Sequence, residues 1–204
     1  MILDYFRQHP LVGAGIAVLF IAVIFLWAKV LKDRGAHNAE TEAILKRLKE
    51  ENKLRSDFVN LTKELADSSD TVSLFRGVSL NLQKRISDSV DMEKEFSLLT
   101  DEQRMIYALG FVVEDGGEKL SGFFAENGKP LTDEAKKAVE AMLPEDAVEI
   151  FNKEYFAYDP DDETTSLIAG ETEKSDEAFS KIVSADEIMK FGGEFIRKNI
   201  EKMV

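Results

Sequence analysis

Cysteine is absent from the 204 residues of the chain. Disulfides, thiolate metal sites and cysteine nucleophiles are thereby excluded. A chain without cysteine suits a reducing compartment. Histidine is almost absent: His9 and His37 are the two present, and both lie near the amino-terminal apolar run. The remainder has no imidazole for acid–base catalysis or for a histidine-rich metal centre. No Gly-x-Ser-x-Gly elbow, no His-Glu-x-x-His helix and no phosphate-binding Gly-rich loop ending in Lys-Ser/Thr occurs. No cofactor is expected. Strand signals are scarce as well. Phe111-Val112-Val113 is a β-branched cluster, but its surroundings carry helical spacing, so the fold class expected is all-α.

One long apolar run stands out. LVGAGIAVLFIAVIFLWA, Leu11 to Ala28, contains no charged residue, and Val30 and Leu31 extend it past Lys29. About twenty helical residues rise about 30 Å, the thickness of a hydrocarbon core. Trp27 falls where an interfacial aromatic belongs, and Lys29 lies near enough to the end to snorkel. A cleaved signal peptide has a shorter core followed by small residues, whereas this run leads into the bulky, basic segment KVLKDRG. The expectation is an uncleaved anchor over 11–31, fixed to the lipid bilayer by Trp27, Lys29, Lys32 and Arg34. More basic residues follow the run than precede it. Basic flanks tend to stay inside, which places the short segment 1–10 outside and the rest of the chain in the cytoplasm.

The net charge of −13 is concentrated. Residues 100–204 hold twelve basic and twenty-five acidic side chains, and this half accounts for the whole excess. Such a field repels nucleic acid and anionic headgroups and attracts basic partners. Between anchor and acidic half, residues 32–70 read as a juxtamembrane stalk, with one polar helix from about Ala39 to Ala66. Ile44, Leu54, Phe58, Leu61 and Leu65 fit a heptad seam that Arg47 and Glu51 interrupt, so weak homo-oligomeric pairing is the most that the seam supports.

Residues 71–204 read as an acidic, all-helical domain. Asp70 or Ser69 can cap a helix over 71–97 with Val72, Phe75, Val78, Leu82, Ile86 and Val90 on its apolar face. Gly77 weakens that helix locally. Thr100 and Gln103 form a capping box ahead of Met105, Ile106, Leu109, Val112 and Val113. Further helices open at Thr132 and at Pro144, the latter with Val148, Ile150, Phe151 and Phe156 on its face. Two more cover Ser175–Val183 and Ala185–Met203. Asn127-Gly128 fits a helix stop with a left-handed residue. Gly116-Gly117 either breaks a helix or admits a close neighbour.

The sequence offers two groups of candidate contact residues. Glu114, Asp115, Glu118 and Glu126 surround the adjacent pair Phe123 and Phe124, which point about 100° apart on a helix, so that both are buried or one faces a partner. Asp159, Asp161, Asp162 and Glu163 crowd four carboxylates into five residues. Thr164 and Gly170 stand where an EF-hand needs glycine and glutamate, so a solvated acidic loop is expected instead of a calcium site.

The entry Gln103-x-x-Ile106-Tyr107, the Glu114-x-Gly116-Gly117 step, Phe123-Phe124, Asn127 and the Ala-rich stretch Ala135–Ala141 together resemble the bacterial DNA-mimic protein family over about residues 98–157. The sequence departs from that pattern at Asp115, at Gly122 and in the spacing from the glycines to the aromatics. The resemblance implies an acidic helical domain that imitates nucleic acid towards basic proteins and does not itself bind nucleic acid. The function expected is therefore that of a single-pass membrane interaction protein with a basic protein partner. Two alternatives stand beside it: a stalk or assembly factor that oligomerises through residues 39–97, and an enzyme using paired carboxylates.

Overall fold

The computed structural model describes residues 41–117, 119–158 and 169–204, with backbone alone at 169–171. The expected span 11–31 and its flanking Trp27, Lys29, Lys32 and Arg34 lie outside these, as do Glu118, Asp159, Asp161, Asp162 and Glu163. Among the described residues there is no strand, and no helix is long and apolar enough to cross a membrane. The chain divides into two units, Met1–Glu50 and Glu51–Val204. Within the first, residues 41–50 are helical, with Ile44, Leu45 and Leu48 exposed.

The second unit is a helical domain. Its chain begins in α1, helical over 51–57. It continues through α2 (Lys63–Ser68), α3 (Thr71–Ser87), α4 (Met92–Ser97), α5 (Asp101–Gly116), α6 (Leu120–Glu126), α7 (Leu131–Met142), α8 (Glu145–Ala157), α9 (Ala169–Ile182), α10 (Ala185–Lys198) and α11 (Ile200–Met203). The all-α expectation is met, but three expected helices are each divided; the one over Ala185–Met203 breaks at Asn199 into α10 and α11. A single helix over 39–66 does not form. It stops at residue 57, because Phe58 turns into the core and seats its ring against Gly77 of α3, where a Cβ would lie 2.2 Å from the ring. Gly77 thus makes room for an aromatic. Leu61 is buried as well, and Thr62 restarts the chain by accepting from the Leu65 N–H at 3.2 Å. The expected helix over 71–97 also breaks, at 88–91. Asp91 caps a separate α4, and Val90 is fully exposed instead of lying on the apolar face.

Local signals set other boundaries as expected. Asp70 caps α3 through the Ser73 N–H at 2.9 Å. The Thr100–Gln103 capping box is present in both directions, and Gln103 also donates to the Met203 carbonyl at 3.3 Å, which ties α5 to α11. Ile106, Leu109 and Val112 of α5 have no exposed surface. At Asn127 the helix stop is real, but Asn127 is extended, and no glycine among the described residues has positive φ. Pro144 is the N-cap of α8 and precedes its first turn.

Helices α10 and α3 pack so closely that glycine is required between them. A Cβ on Gly193 would stand 2.3 Å from the Thr71 carbonyl oxygen, and one on Gly192 would stand 2.3 Å from the Phe75 ring. The Arg197 side chain closes the same seam. It donates to the carbonyls of Ala66 (3.0 Å) and Ser69 (2.6 Å) and to Thr71 Oγ1 (2.9 Å). Because the Gly193 neighbour is backbone and cannot rotate away, Gly193→Ala is expected to cost about 1–3 kcal/mol in urea denaturation. A neutral result would contradict this helix separation.

Candidate functional site

The stretch 114–128 forms a corner between α5 and α6. Glu114 and Asp115 are exposed in the last turn of α5, and Glu126 is exposed at the end of α6. Asn127 joins the two ends: its Nδ2 donates to Asp115 Oδ2 and to the Phe123 carbonyl, each at 2.9 Å. Gln83 Nε2 donates to Glu114 Oε2 at 3.3 Å. The glycines serve close approach, since a Cβ on Gly122 would lie 2.6 Å from the Asp115 carbonyl oxygen and one on Gly116 3.1 Å from the Phe123 Cβ. The fold therefore brings Glu114, Asp115 and Glu126 to one corner.

Phe123 and Phe124 do not share that surface. Both have no exposed area. Their rings meet edge to face at 5.2 Å, Phe124 lies 5.1 Å from Phe151 and 5.7 Å from Tyr158, and Phe123 lies 6.1 Å from Phe151. They belong to the core and offer a partner nothing to touch. Of the two readings open at the sequence level, burial of both is the one realised.

The carboxylates of this region stand against the helix dipole. Helices α5, α6, α7 and α8 carry no basic side chain in their last turns. Glu114, Asp115, Glu126 and Glu140 occupy those turns instead, where a negative charge costs about 0.3–1 kcal/mol. Lys129, Lys136 and Lys137 are each engaged with a carboxylate of α7: Asp133 at 3.8 Å, Glu140 at 2.5 Å and Glu134 at 2.8 Å respectively. Glu126, Glu145, Asp146 and Glu149 form no ion pair among the described residues. All four are exposed.

A second surface, between α7 and α8, was not singled out by the sequence. Tyr155 Oη donates to Asp133 Oδ1 at 2.5 Å, and Asn152 Nδ2 donates to Glu140 Oε1 at 3.1 Å. The Lys136 Nζ lies 5.9 Å from the ring centroids of both Tyr155 and Phe156. Phe156 itself is 75% exposed, contrary to its expected place on the buried face of α8. The buried stripe runs through Ala147, Phe151 and Glu154. Phe156 is five residues beyond Phe151, about 140° around the helix, and so points away from the core.

Glu154 is the other residue that sequence reasoning missed. It is 2% exposed, and neither carboxylate oxygen has a hydrogen-bond partner. Burial, and secondarily the charge of Asp176, push its pKa up to about 7; Ser175 pulls the other way without closing a hydrogen bond of ordinary geometry. Asp176 is held from α6, accepting from the Ser121 N–H at 2.8 Å and the Ser121 hydroxyl at 2.7 Å. Glu154 of α8 and Asp176 of α9 are thus both buried, near enough for the charge of one to act on the other. Glutamate at a stripe position was the available signal. Among the described residues no group of three or more metal-ligating side chains gathers. A cleft of about 380 Å³ lies elsewhere, lined by Phe58, Leu61, Val78, Leu82 and Arg85 among others.

Comparison with family models, with curated proteins and with solved structures returns no match.

Proposed function

We propose that this chain is a membrane-anchored interaction protein whose acidic helical domain binds a basic protein partner. The observation that carries the reading is the set of carboxylates kept at helix C-termini, against the dipole and in excess of the available cations. Acids held at a local cost in stability are explained by what they meet outside the domain. The apolar run 11–31 supports a single-pass anchor, and its basic carboxy-terminal flank supports a cytoplasmic acidic domain. The resemblance over residues 98–157 supports presentation of this charge as a nucleic-acid mimic, read by proteins that bind nucleic acid. The buried pair Glu154 and Asp176 does not favour an enzyme, because a general base must reach the proton it takes, and Glu154 is sealed at 2% exposure.

The test uses the full chain in non-ionic detergent, presented to basic and to acidic soluble proteins at about 50 mM and about 500 mM salt. Retention of basic proteins at low salt, lost by at least tenfold at high salt, is the expected result, since exposed charge pairs are screened over about a Debye length. Equal retention of both classes, or indifference to salt, would remove the reading. Protease protection of residues 51–204 in intact cells, lost on lysis, is the expected topology.

A further inference from the structure

On α8, Glu145, Glu149, Asn152 and Phe156 follow one another at i, i+4, i+7 and i+11, which places them on one face. Glu145, Glu149 and Phe156 are exposed, and the row lies opposite the buried stripe Ala147, Phe151 and Glu154. Asn152 links the row to Glu140 at the end of α7, and the Asn152 Oδ1 is left without a donor. At the carboxy-terminal end of this acidic row stands a 75% exposed phenylalanine. Its ring is braced edge-on by Tyr155, with centroids 5.2 Å apart and planes at 79°. Lys136, itself held by Glu140, occupies a position over both rings.

The exposed Phe156 ring offers a π face at the end of the acidic row, in a place where one cation, Lys136, is already accommodated. We propose that the α7–α8 face is an arginine-reading site: an arginine of a basic polypeptide stacks on the open side of Phe156, with its guanidinium within the field of Glu140 and Glu149. Arginine fits better than lysine for two reasons. A planar guanidinium stacks on a ring and gives up little hydration, and its fork can reach a carboxylate at the same time. The site makes the interaction more than a charge count: the carboxylates draw a cationic chain in, and Phe156 distinguishes which cation it carries. This inference rests on the acidic-partner reading above and adds the residue that gives it chemical preference.

The experiment measures binding of nona-arginine and nona-lysine peptides to the full chain in non-ionic detergent, for the native protein, Phe156→Ala, Phe156→Tyr and Glu126→Gln. The native protein is expected to bind the arginine peptide more tightly. Phe156→Ala is expected to weaken the arginine peptide about three- to tenfold while leaving the lysine peptide within about twofold. Phe156→Tyr should keep the preference. Glu126→Gln should weaken both peptides by the same small factor. Because Phe156 is outside the core, unchanged thermal melting of both Phe156 variants is expected. If the native protein binds both peptides and Phe156→Ala leaves their ratio unchanged, the arginine site is wrong and the acidic reading survives. If the native protein binds neither peptide, both fall together.

Discussion

Phe124→Ala lowers the stability of the domain by about 3–5 kcal/mol, while Phe156→Ala, two helices away and also an aromatic deletion, changes it by less than about 1 kcal/mol. The contrast follows from packing. Phe124 has no exposed surface and touches three other aromatic rings, from α6, from α8 and from the residue that ends α8. Removing it leaves a cavity that three rigid rings cannot close, so the lost transfer energy and the cavity term add. The consequence is larger for the helix that carries it. Helix α6 is only seven residues long and has no side-chain N-cap, too short to persist without its tertiary contacts. Urea denaturation of the two variants side by side measures the difference. A Phe124→Ala midpoint shift no larger than that of Phe156→Ala would mean that the ring cluster does not hold α6, and would return Phe124 to the list of surfaces a partner can use.

Glu154→Gln makes the stability of the domain nearly independent of one titration that the native chain must undergo. In the folded domain the Glu154 pKa is raised to about 7 from the usual 4.5, chiefly by burial and then by Asp176. The folded state therefore binds more protons than the unfolded state between those values. Stability falls as pH rises through that window, with a slope approaching about 1.4 kcal/mol per pH unit, and levels off above about pH 7. The whole change is roughly 3 kcal/mol. At pH 5 Glu154 is neutral and sits in its apolar surroundings at modest cost. At pH 8 it must either ionise beside Asp176, whose partner Ser121 holds it in place, or retain its proton against the solvent. Lys153, on the same helix, offsets only part of this. Chemical denaturation of native and Glu154→Gln proteins at pH 5, 6, 7 and 8 tests the account. The stability of the variant relative to the native protein should rise from pH 5 to about pH 7 and then level off. Parallel curves would show that the buried carboxyl does not titrate in this range.

The stretch that draws the eye in the sequence, 114–128, proves to be a corner, and the reasons divide between what spacing can and cannot say. Its helix ends are legible, because Gly116-Gly117 and Asn127 are local signals. Its partition into surface and core is not. Glu114 and Phe124 are ten residues apart, and whether each meets solvent or protein depends on α8, whose Phe151 arrives from farther along the chain. The same limit explains Val90 and Phe156. Each continues an apolar pattern that local reading extends by one step, and each falls beyond the point where a neighbouring helix covers the face. Phe58 errs in the other direction: a residue that fits a heptad seam expected to pair weakly with a second copy is drawn into the core of its own domain, because Gly77, on another helix, leaves a ring-sized space.

By itself the sequence determined the class of fold, the positions of most helix starts, the apolar run at 11–31 and the side of the chain on which negative charge accumulates. These depend on composition, on 3.6-residue spacing and on caps, all of which act over a few residues. Only the tertiary structure decided which aromatic residues are core and which are surface, that two carboxyl groups 22 residues apart are buried together, and that α7 and α8 set an exposed ring beside a row of glutamates. Those arrangements arise where helices distant in sequence pack against one another, and burial is a property of that packing, which no single segment carries.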